Sequence, residues 1–263
     1  MDRSDKMLAR KDGRVGTMIF NNPERHNAVS LEMWEAAAKI LDDFVADEEI
    51  RVVILTGAGG KSFVSGADIS KFEDERATRE AVERYNAATE RVYSGVAALP
   101  KPTIALIQGY CIGGGLNLAV CCDLRFCSEG SRFGLPAAKL GLGYRYAGLK
   151  RFIDTIGPAY TKDIFFSARQ FGAAEALAMG LVNGVLPDSE LASFVDRYAQ
   201  GVAANAPLTV QAIKQISLEV LKPESERDLK RAANLVARCF DSQDYVEGRR
   251  AFLEKRNPVF TGK

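Results

Sequence analysis

The chain has 263 residues, and its lysines and arginines nearly balance its aspartates and glutamates, which leaves a net charge of +1. This length allows one large domain or one domain with an appendage. Because no basic stripe with interleaved aromatic residues is present, a nucleic-acid partner is not expected. The charged N-terminus lacks an apolar signal core, and no run reaches the roughly eighteen apolar residues of a membrane helix, so we expect a cytoplasmic protein with no membrane partner.

The five cysteines do not follow a spacing typical of metal or redox sites. Cys121 and Cys122 are adjacent, which is neither a zinc-ligand spacing nor a CxxC redox pair. Most of the cysteines lie in or beside apolar segments. We therefore predict small buried side chains in a reducing compartment, and no metal site.

Strands and helices alternate along the first part of the chain, which predicts an α/β core up to about residue 186. Asp12-Gly13 separates two strand-like runs and predicts a hairpin, and Ser30 is expected to cap the first helix. Further strands and helices are predicted at 52–56, 77–98, 103–107, 123–127, 132–134, 148–156, 158–167, 173–179 and 182–186. Three helical segments separated by proline follow, and they either pack back on the core or are exchanged with a neighbouring subunit.

A glycine bend between a strand and a helix is the first candidate site. The strand 103–107 leads into Gly113-Gly114-Gly115, after which an apolar pattern compatible with a helix begins. The first N–H groups of a helix have no intrahelical acceptor and lie at the positive end of its dipole. Glycines let a ligand approach these donors, so the bend suits a phosphate or an oxyanion. The alternative is a turn that only packs tightly.

A second bend, Gly66-Ala67-Asp68, follows the strand 52–56. Two such bends could direct two backbone N–H groups at one oxygen, which is what an oxyanion hole requires. Asp68 could instead cap a helix.

Two other features give weaker indications of a site. Gly60-Lys61-Ser62 is similar to the end of a phosphate-binding P-loop, but the position five residues earlier holds Leu55 where that motif needs glycine. The single histidine, His26, has no acid or nucleophile near it in sequence, so we interpret it as a loop or packing residue. Arg25 and His26 could still contact an anionic ligand.

A series of short motifs, in order and at characteristic intervals, resembles the crotonase (enoyl-CoA hydratase/isomerase) superfamily over nearly the whole chain. The matching motifs are Asn22-Pro23 with Asn27-Ala28, Leu55-Thr56-Gly57, Gly66-Ala67-Asp68-Ile69, Lys101-Pro102-Thr103, Gly109-Tyr110 with Gly113-Gly114-Gly115, Phe133-Gly134 with Pro136, and Phe252-Leu253-Glu254-Lys255-Arg256 with Pro258. The resemblance implies an α/β, ClpP-like spiral of ββα units with a C-terminal helical trimerisation region. It implies a core over 1–200 and an oligomerisation region over 201–263.

The resemblance also implies a ligand and a quaternary structure. The substrate would be an acyl-CoA thioester, and the protein a homotrimer or a hexamer formed as a dimer of trimers. No cofactor is implied, because coenzyme A is part of the substrate. In this alignment the N–H groups of Ala67 and Gly114 form the oxyanion hole. The residues expected to contact coenzyme A are Arg25, Ala67, Asp68, Ile69, Lys255 and Phe260.

Two positions depart from the hydratase pattern. Hydratases of this superfamily carry glutamates where this chain has Asn117 and Ala137. An amide has no proton equilibrium near neutrality and alanine has no polar group, so neither can act as a general acid or base. General acid–base catalysis contributes roughly two to four powers of ten, and we therefore expect weak hydration.

The segment Tyr144-Arg145 is the remaining catalytic candidate. Tyr144 resembles, by alignment, a tyrosine of a methylmalonyl-CoA decarboxylase, and Arg145 could bind a substrate carboxylate. Decarboxylation needs no base, because the departing carbon dioxide leaves its electron pair on an enolate that the oxyanion hole stabilises. The alternatives are hydrolysis of a thioester, a non-catalytic acyl-CoA-binding protein, and an Arg145 that lies in solvent.

Overall fold

The computed structural model describes residues 6–71, 75 and 77–263, and two β-sheets organise it. The larger sheet has six strands in the order β1-β2-β3-β5-β7-β10. β1 pairs antiparallel with β2, and all other neighbours are parallel. The strands of this sheet are β1 (Met7–Asp12), β2 (Val15–Phe20), β3 (Val52–Gly57), β5 (Thr103–Ile107), β7 (Leu124–Ser128) and β10 (Gly184–Leu186).

The smaller sheet has four strands in the order β4-β6-β8-β9. Its strands are β4 (Ser62–Val64), β6 (Tyr110–Ile112), β8 (Arg132–Gly134) and β9 (Gln170–Gly172). Only β8 was predicted from the sequence. Strands of three residues are too short to show the alternation of apolar and polar side chains by which strands are recognised.

Nine α-helices connect and cover the sheets in the described part of the chain. They are α1 (Leu31–Ala46), α2 (Arg79–Ala98), α3 (Gly114–Cys121), α4 (Tyr146–Ser167), α5 (Ala173–Ala178), α6 (Asp188–Ala204), α7 (Pro207–Val220), α8 (Leu229–Phe240) and α9 (Gln243–Glu254). Three successive ββα units place one strand in each sheet: β3-β4-α2, β5-β6-α3 and β7-β8-α4. The predicted α/β fold is confirmed.

The two helical segments expected at 148–156 and 158–167 are confirmed as the two halves of α4, which non-helical backbone angles at Gly157 (φ +73°) separate just before Pro158. One helix prediction needs correction. The tail holds four α-helices where three segments were expected, because the segment after Pro223 is divided into α8 and α9. Ser242 causes this division, since its side chain accepts a hydrogen bond from the N–H of Tyr245 and caps α9.

The larger sheet is buried on both faces, as parallel sheets usually are. One face packs in the main core, which includes Trp34 of α1 and Val92 of α2. The other face packs against Leu191 and Val195 of α6 in a second apolar cluster.

All five cysteines are free, and four of them are buried while Cys239 is partly exposed. Among the described residues, no helix combines the length and hydropathy needed to cross a membrane.

Candidate active site

The two glycine bends meet at one edge of the smaller sheet. β4 and β6 are parallel neighbours, so their carboxyl ends lie side by side. Gly66 follows β4 with φ +108°, and Gly113 follows β6 with φ +55°. A Cβ atom added to Gly66 would lie 3.4 Å from the carbonyl oxygen of Ile112 and 3.8 Å from the nitrogen of Gly114. The two bends are therefore in van der Waals contact, and the positive φ of Gly66 is a backbone conformation that favours glycine.

Each bend presents one backbone donor. The N–H of Val29 donates to Gly66, and the N–H of Asp68 donates to Val29. These bonds flank Ala67, whose own N–H has no protein acceptor within the described residues. Gly114 is the first residue of α3, so its N–H has no intrahelical acceptor and lies at the positive end of the helix.

A cavity of about 400 Å³ opens over these donors, and Ala67 and Gly114 both line it. The predicted oxyanion-hole residues are thus brought together in one cavity. Asn117 and Ala137 line the same cavity, although 20 residues of sequence separate them. Asn117 is 5% exposed and Ala137 is 8% exposed. Within the described residues, the Oδ1 atom of Asn117 is buried without a hydrogen-bond partner.

Tyr144 and Arg145 also line the cavity. The ring of Tyr144 packs against Phe165, with centroids 4.7 Å apart. Burial raises the pKa of Tyr144 well above its ordinary range, so the phenol stays protonated at neutral pH and acts as a donor rather than a base. Arg145 is exposed and precedes the first residue of α4.

Glu90 of α2 is the one carboxylate that lines the cavity among the described residues. Its Oε1 accepts hydrogen bonds from Nη2 of Arg151 at 2.7 Å and from Oγ of Ser94 at 2.6 Å. Burial raises the pKa of Glu90, but these hydrogen bonds outweigh it and hold the pKa below its usual value. Glu90 is therefore ionised and doubly hydrogen-bonded, which makes it a weak base.

Tyr93 is a site residue that the sequence did not indicate. Its hydroxyl donates a 3.1 Å hydrogen bond to the carbonyl oxygen of Gly114. Burial raises the pKa of Tyr93 well above its ordinary range, so the hydroxyl remains a donor. Tyr93 lies in the helix that was predicted over 77–98, but an aromatic residue on an amphipathic helix is ordinarily interpreted as part of the core. Only the fold shows that it reaches the glycine bend.

The residues predicted to contact coenzyme A lie in two separate places. Ile69 is exposed and lines the cavity with Ala67. Asp68 is buried, and its Oδ1 accepts from both the N–H and the Oγ of Ser70, so it caps the short turn that follows. Arg25 donates to Oγ of Ser70 and lies 3.8 Å from Asp68.

Lys255 and Phe260 lie among the C-terminal helices, and neither lines the cavity. Phe260 lines a second groove, and its carbonyl oxygen accepts from Nη2 of Arg51 at 2.9 Å. Lys255 is exposed just past the end of α9. Within a single chain, the structure does not bring these two residues to the candidate active site.

His26 packs edge-on against the ring of Tyr110, with centroids 5.7 Å apart.

Comparison with known proteins decides the family. The family model for enoyl-CoA hydratase/isomerase matches residues 10–263. The chain belongs to the enoyl-CoA hydratase/isomerase family. Members similar to it include a short-chain-enoyl-CoA hydratase from Clostridium acetobutylicum, 33% identical over 96% of both chains. A crotonyl-CoA hydratase from Syntrophomonas wolfei is 33% identical over 98% of this chain and 99% of its own length.

Solved structures of this family agree with the fold. The crystal structure of an enoyl-CoA hydratase/carnithine racemase from Magnetospirillum magneticum superposes with a TM-score of 0.94 at 36% identity. The match covers 99% of this chain and 97% of that one. The resemblance found in the sequence motifs is confirmed.

Proposed function

We propose that this protein acts on acyl-CoA thioesters by stabilising an enolate, with the thioester oxygen bound by the N–H groups of Ala67 and Gly114. The observation that carries this proposal is the convergence of two unpartnered backbone donors over one cavity. Donors of this kind, fixed before the reaction, stabilise the charge that develops on the oxygen in the transition state. The hydratases named above support the thioester as substrate.

The reaction itself follows from the side chains around these donors. Asn117 and Ala137 provide no acid or base, and the paired carboxylate of Glu90 is a weak base. Hydration of a simple enoyl-CoA is therefore expected to be slow. We propose no metal or redox cofactor for this chemistry, because the backbone N–H groups stabilise the enolate charge. Coenzyme A enters as part of the substrate.

Decarboxylation is the second candidate, and the protonated Tyr144 in the cavity favours it. The bond between the α-carbon and the carboxylate breaks, and its electron pair passes into the thioester enolate. Tyr144 or water then supplies the proton to the α-carbon. Arg145, at the exposed side of the cavity, would orient the substrate carboxylate.

The nucleotide part of coenzyme A would contact Arg25 beside the cavity. Lys255 and Phe260 would reach it only from a neighbouring subunit, because they lie away from the cavity of their own chain. A second groove of about 810 Å³ among the C-terminal helices supports such an assembly. Its apolar wall includes Phe252 and Leu253, whose side chains are more than four-fifths exposed. We propose a homotrimer, or a hexamer of two trimers, with residues 201–263 as the oligomerisation region.

The proposal is tested by incubating the purified protein with enoyl and carboxylated CoA thioesters and measuring the products by mass spectrometry. The Gly113→Ala variant strains the left-handed bend that orients the N–H of Gly114. Turnover should fall by about 10²–10³, the cost of losing one oxyanion-hole donor. The matched control is Gly201→Ala, whose added Cβ lies in open space on α6.

Each outcome has a defined meaning. Loss of carbon dioxide would support decarboxylation, and gain of water would show that a base outside positions 117 and 137 acts in the cavity. Thioester binding without any product would contradict the enzymatic proposal and leave a binding protein. Equal turnover in Gly113→Ala and Gly201→Ala would contradict the role of Gly114.

A further inference from the structure

Three aromatic residues line the cavity together with the two backbone donors. They are Trp34 of α1 and Tyr85 and Tyr93 of α2, and none of them is more than 8% exposed. The rings of Trp34 and Tyr93 pack edge to face, with centroids 5.3 Å apart. Nε1 of Trp34 donates a 3.1 Å hydrogen bond to the hydroxyl oxygen of Tyr85. These contacts join the three side chains into one unit, which we call the aromatic cluster.

The hydroxyl of Tyr93 restrains the first turn of α3. It donates a 3.1 Å hydrogen bond to the carbonyl oxygen of Gly114, the middle one of three glycines, which have no side chains to restrict their backbone. The other two glycines are restrained by backbone groups. The N–H of Gly113 donates to Gly134 at 2.8 Å, and a Cβ added to Gly115 would overlap a backbone carbonyl. The additional restraint at Gly114 itself comes from a side chain.

The hydroxyl of Tyr85 reaches the other bend through Val29. It donates to the carbonyl oxygen of Val29 at 3.4 Å. The same oxygen accepts from the N–H of Asp68 at 3.0 Å, and the N–H of Val29 donates to Gly66 at 2.9 Å. Val29 therefore holds the residues on both sides of Ala67, with which it forms an isolated parallel bridge. An indole N–H only donates, so the hydroxyl of Tyr85 keeps its own proton for this acceptor.

The rate advantage of an oxyanion hole depends on the fixed direction of its donors. Donors that are oriented before charge develops need no reorganisation during the reaction. A glycine bend without further restraint would lose part of this advantage, because a small rotation of the backbone turns the N–H away from the oxygen. Buried hydrogen bonds to the residues that carry the donors fix such geometry. The aromatic cluster makes bonds of this kind to both bends.

We propose that the members of the aromatic cluster are positioning residues, which hold both donors of the oxyanion hole in their productive directions. Tyr93 acts through the carbonyl group of Gly114. Tyr85, oriented by the indole of Trp34, acts through Val29. This inference rests on the proposed function, because it concerns the N–H groups that the proposal assigns to the thioester oxygen.

Infrared difference spectroscopy of a bound thioester tests the inference without any turnover. The probe is butyryl-CoA with an isotopic label at the thioester carbonyl carbon. Hydrogen bonds to the oxygen weaken the C=O bond, so well-aligned donors lower its stretching frequency. We expect the natural protein to lower this frequency below that of free butyryl-CoA. In Tyr93→Phe and in Tyr85→Phe the band should return towards the free value, and less so in Tyr85→Phe, whose hydrogen bond is longer.

Each of these variants removes one hydroxyl and keeps the ring, so the apolar shape of the cavity is retained. Tyr160→Phe is the matched control on α4, because Tyr160 is 45% exposed and lies outside the cavity wall. It should leave the band unchanged. With a thioester that mass spectrometry identifies as a substrate, Tyr93→Phe should lower kcat about tenfold, as expected for one lost hydrogen bond, and change KM little.

The outcomes separate this inference from the proposed function. An unshifted band in folded Tyr93→Phe would overturn its role at Gly114 and leave it a merely structural residue, and an unshifted band in folded Tyr85→Phe would do the same for Tyr85 and Trp34. An equal shift in Tyr160→Phe would overturn the whole inference. If one variant does not fold, the other decides, because each tyrosine acts on its own bend. A band that the natural protein does not lower would contradict the proposed oxyanion hole, and this inference with it.

Discussion

At the scale of single residues, the chemistry of the cavity depends on two side chains that cannot act as a general acid or base in the addition of water. Asn117 and Ala137 both face the cavity, next to the donors that would bind the thioester oxygen. The amide of Asn117 donates and accepts hydrogen bonds, but it does not exchange a proton near neutral pH. The three adjacent glycines also differ in role, since Gly114 lines the cavity while Gly115 packs directly on the backbone of Val64.

The double variant Asn117→Glu with Ala137→Glu tests whether the rest of the site is competent for hydration. We expect its rate on a short enoyl-CoA to exceed that of the natural protein by about 10²–10⁴, the usual contribution of general acid–base catalysis. The measurement is the loss of absorbance of the conjugated thioester. The two single variants are the controls and should gain less. No gain in the folded double variant would mean that the pocket differs from a hydratase in more than these two positions.

At the scale of secondary-structure elements, one lysine secures the end of a helix. Lys101 lies just before β5 and is 6% exposed. Its Nζ donates to the carbonyl oxygens of Phe44 at 2.5 Å and Asp47 at 2.6 Å, at the C-terminus of α1. A buried cation at this end of a helix satisfies carbonyls that have no intrahelical donor. Lys101 of the Lys-Pro-Thr motif is therefore a structural residue.

Lys101→Met keeps most of the side-chain volume but leaves these buried carbonyls unpaired. We expect the free energy of unfolding to fall by about 1–3 kcal/mol, the cost of unsatisfied buried polar groups. Urea unfolding followed by circular dichroism measures the change. Lys39→Met on the exposed surface of α1 is the matched control and should change stability by less than about 0.5 kcal/mol. Equal stability of the two variants would contradict the capping role.

At the scale of the whole molecule, the C-terminal helices expose several large apolar side chains. Phe252 is 83% exposed, Leu253 is 81% exposed, and Leu229 is 70% exposed. Phe252 and Leu253 line the same groove, and large exposed apolar patches mark contact surfaces. We therefore expect copies of this chain to cover them in the proposed trimer.

Sedimentation velocity of the Phe252→Asp, Leu253→Asp double variant tests this assembly. The natural protein should sediment as a trimer or hexamer, and the variant should shift towards monomer, because buried aspartates would lack partners. Phe166→Asp is the control, since Phe166 is 77% exposed on α4, outside this groove. A monomeric natural protein would contradict the proposed oligomer. Equal dissociation of the Phe166→Asp variant would contradict the assignment of the interface to this groove.

The sequence by itself determined the family, the α/β class, the long strands and the two glycine bends. These features are carried by local patterns: apolar runs predict buried strands, and glycines mark places where the backbone needs a left-handed conformation. The vacant glutamate positions at 117 and 137 were evident as well. The division of the tail at Ser242 was missed, because a serine inside a helical pattern is a cap only when the chain turns there.

Only the tertiary structure decided which distant residues share the cavity. Glu90 and Tyr93 come from one helix, Asn117 from another and Tyr144 from a loop, and no spacing in the chain connects them. It also decided their chemistry, since burial keeps Tyr144 protonated and hydrogen bonds keep Glu90 ionised. A pKa or an unpaired acceptor depends on what surrounds a group in space, and that environment is formed by packing between elements.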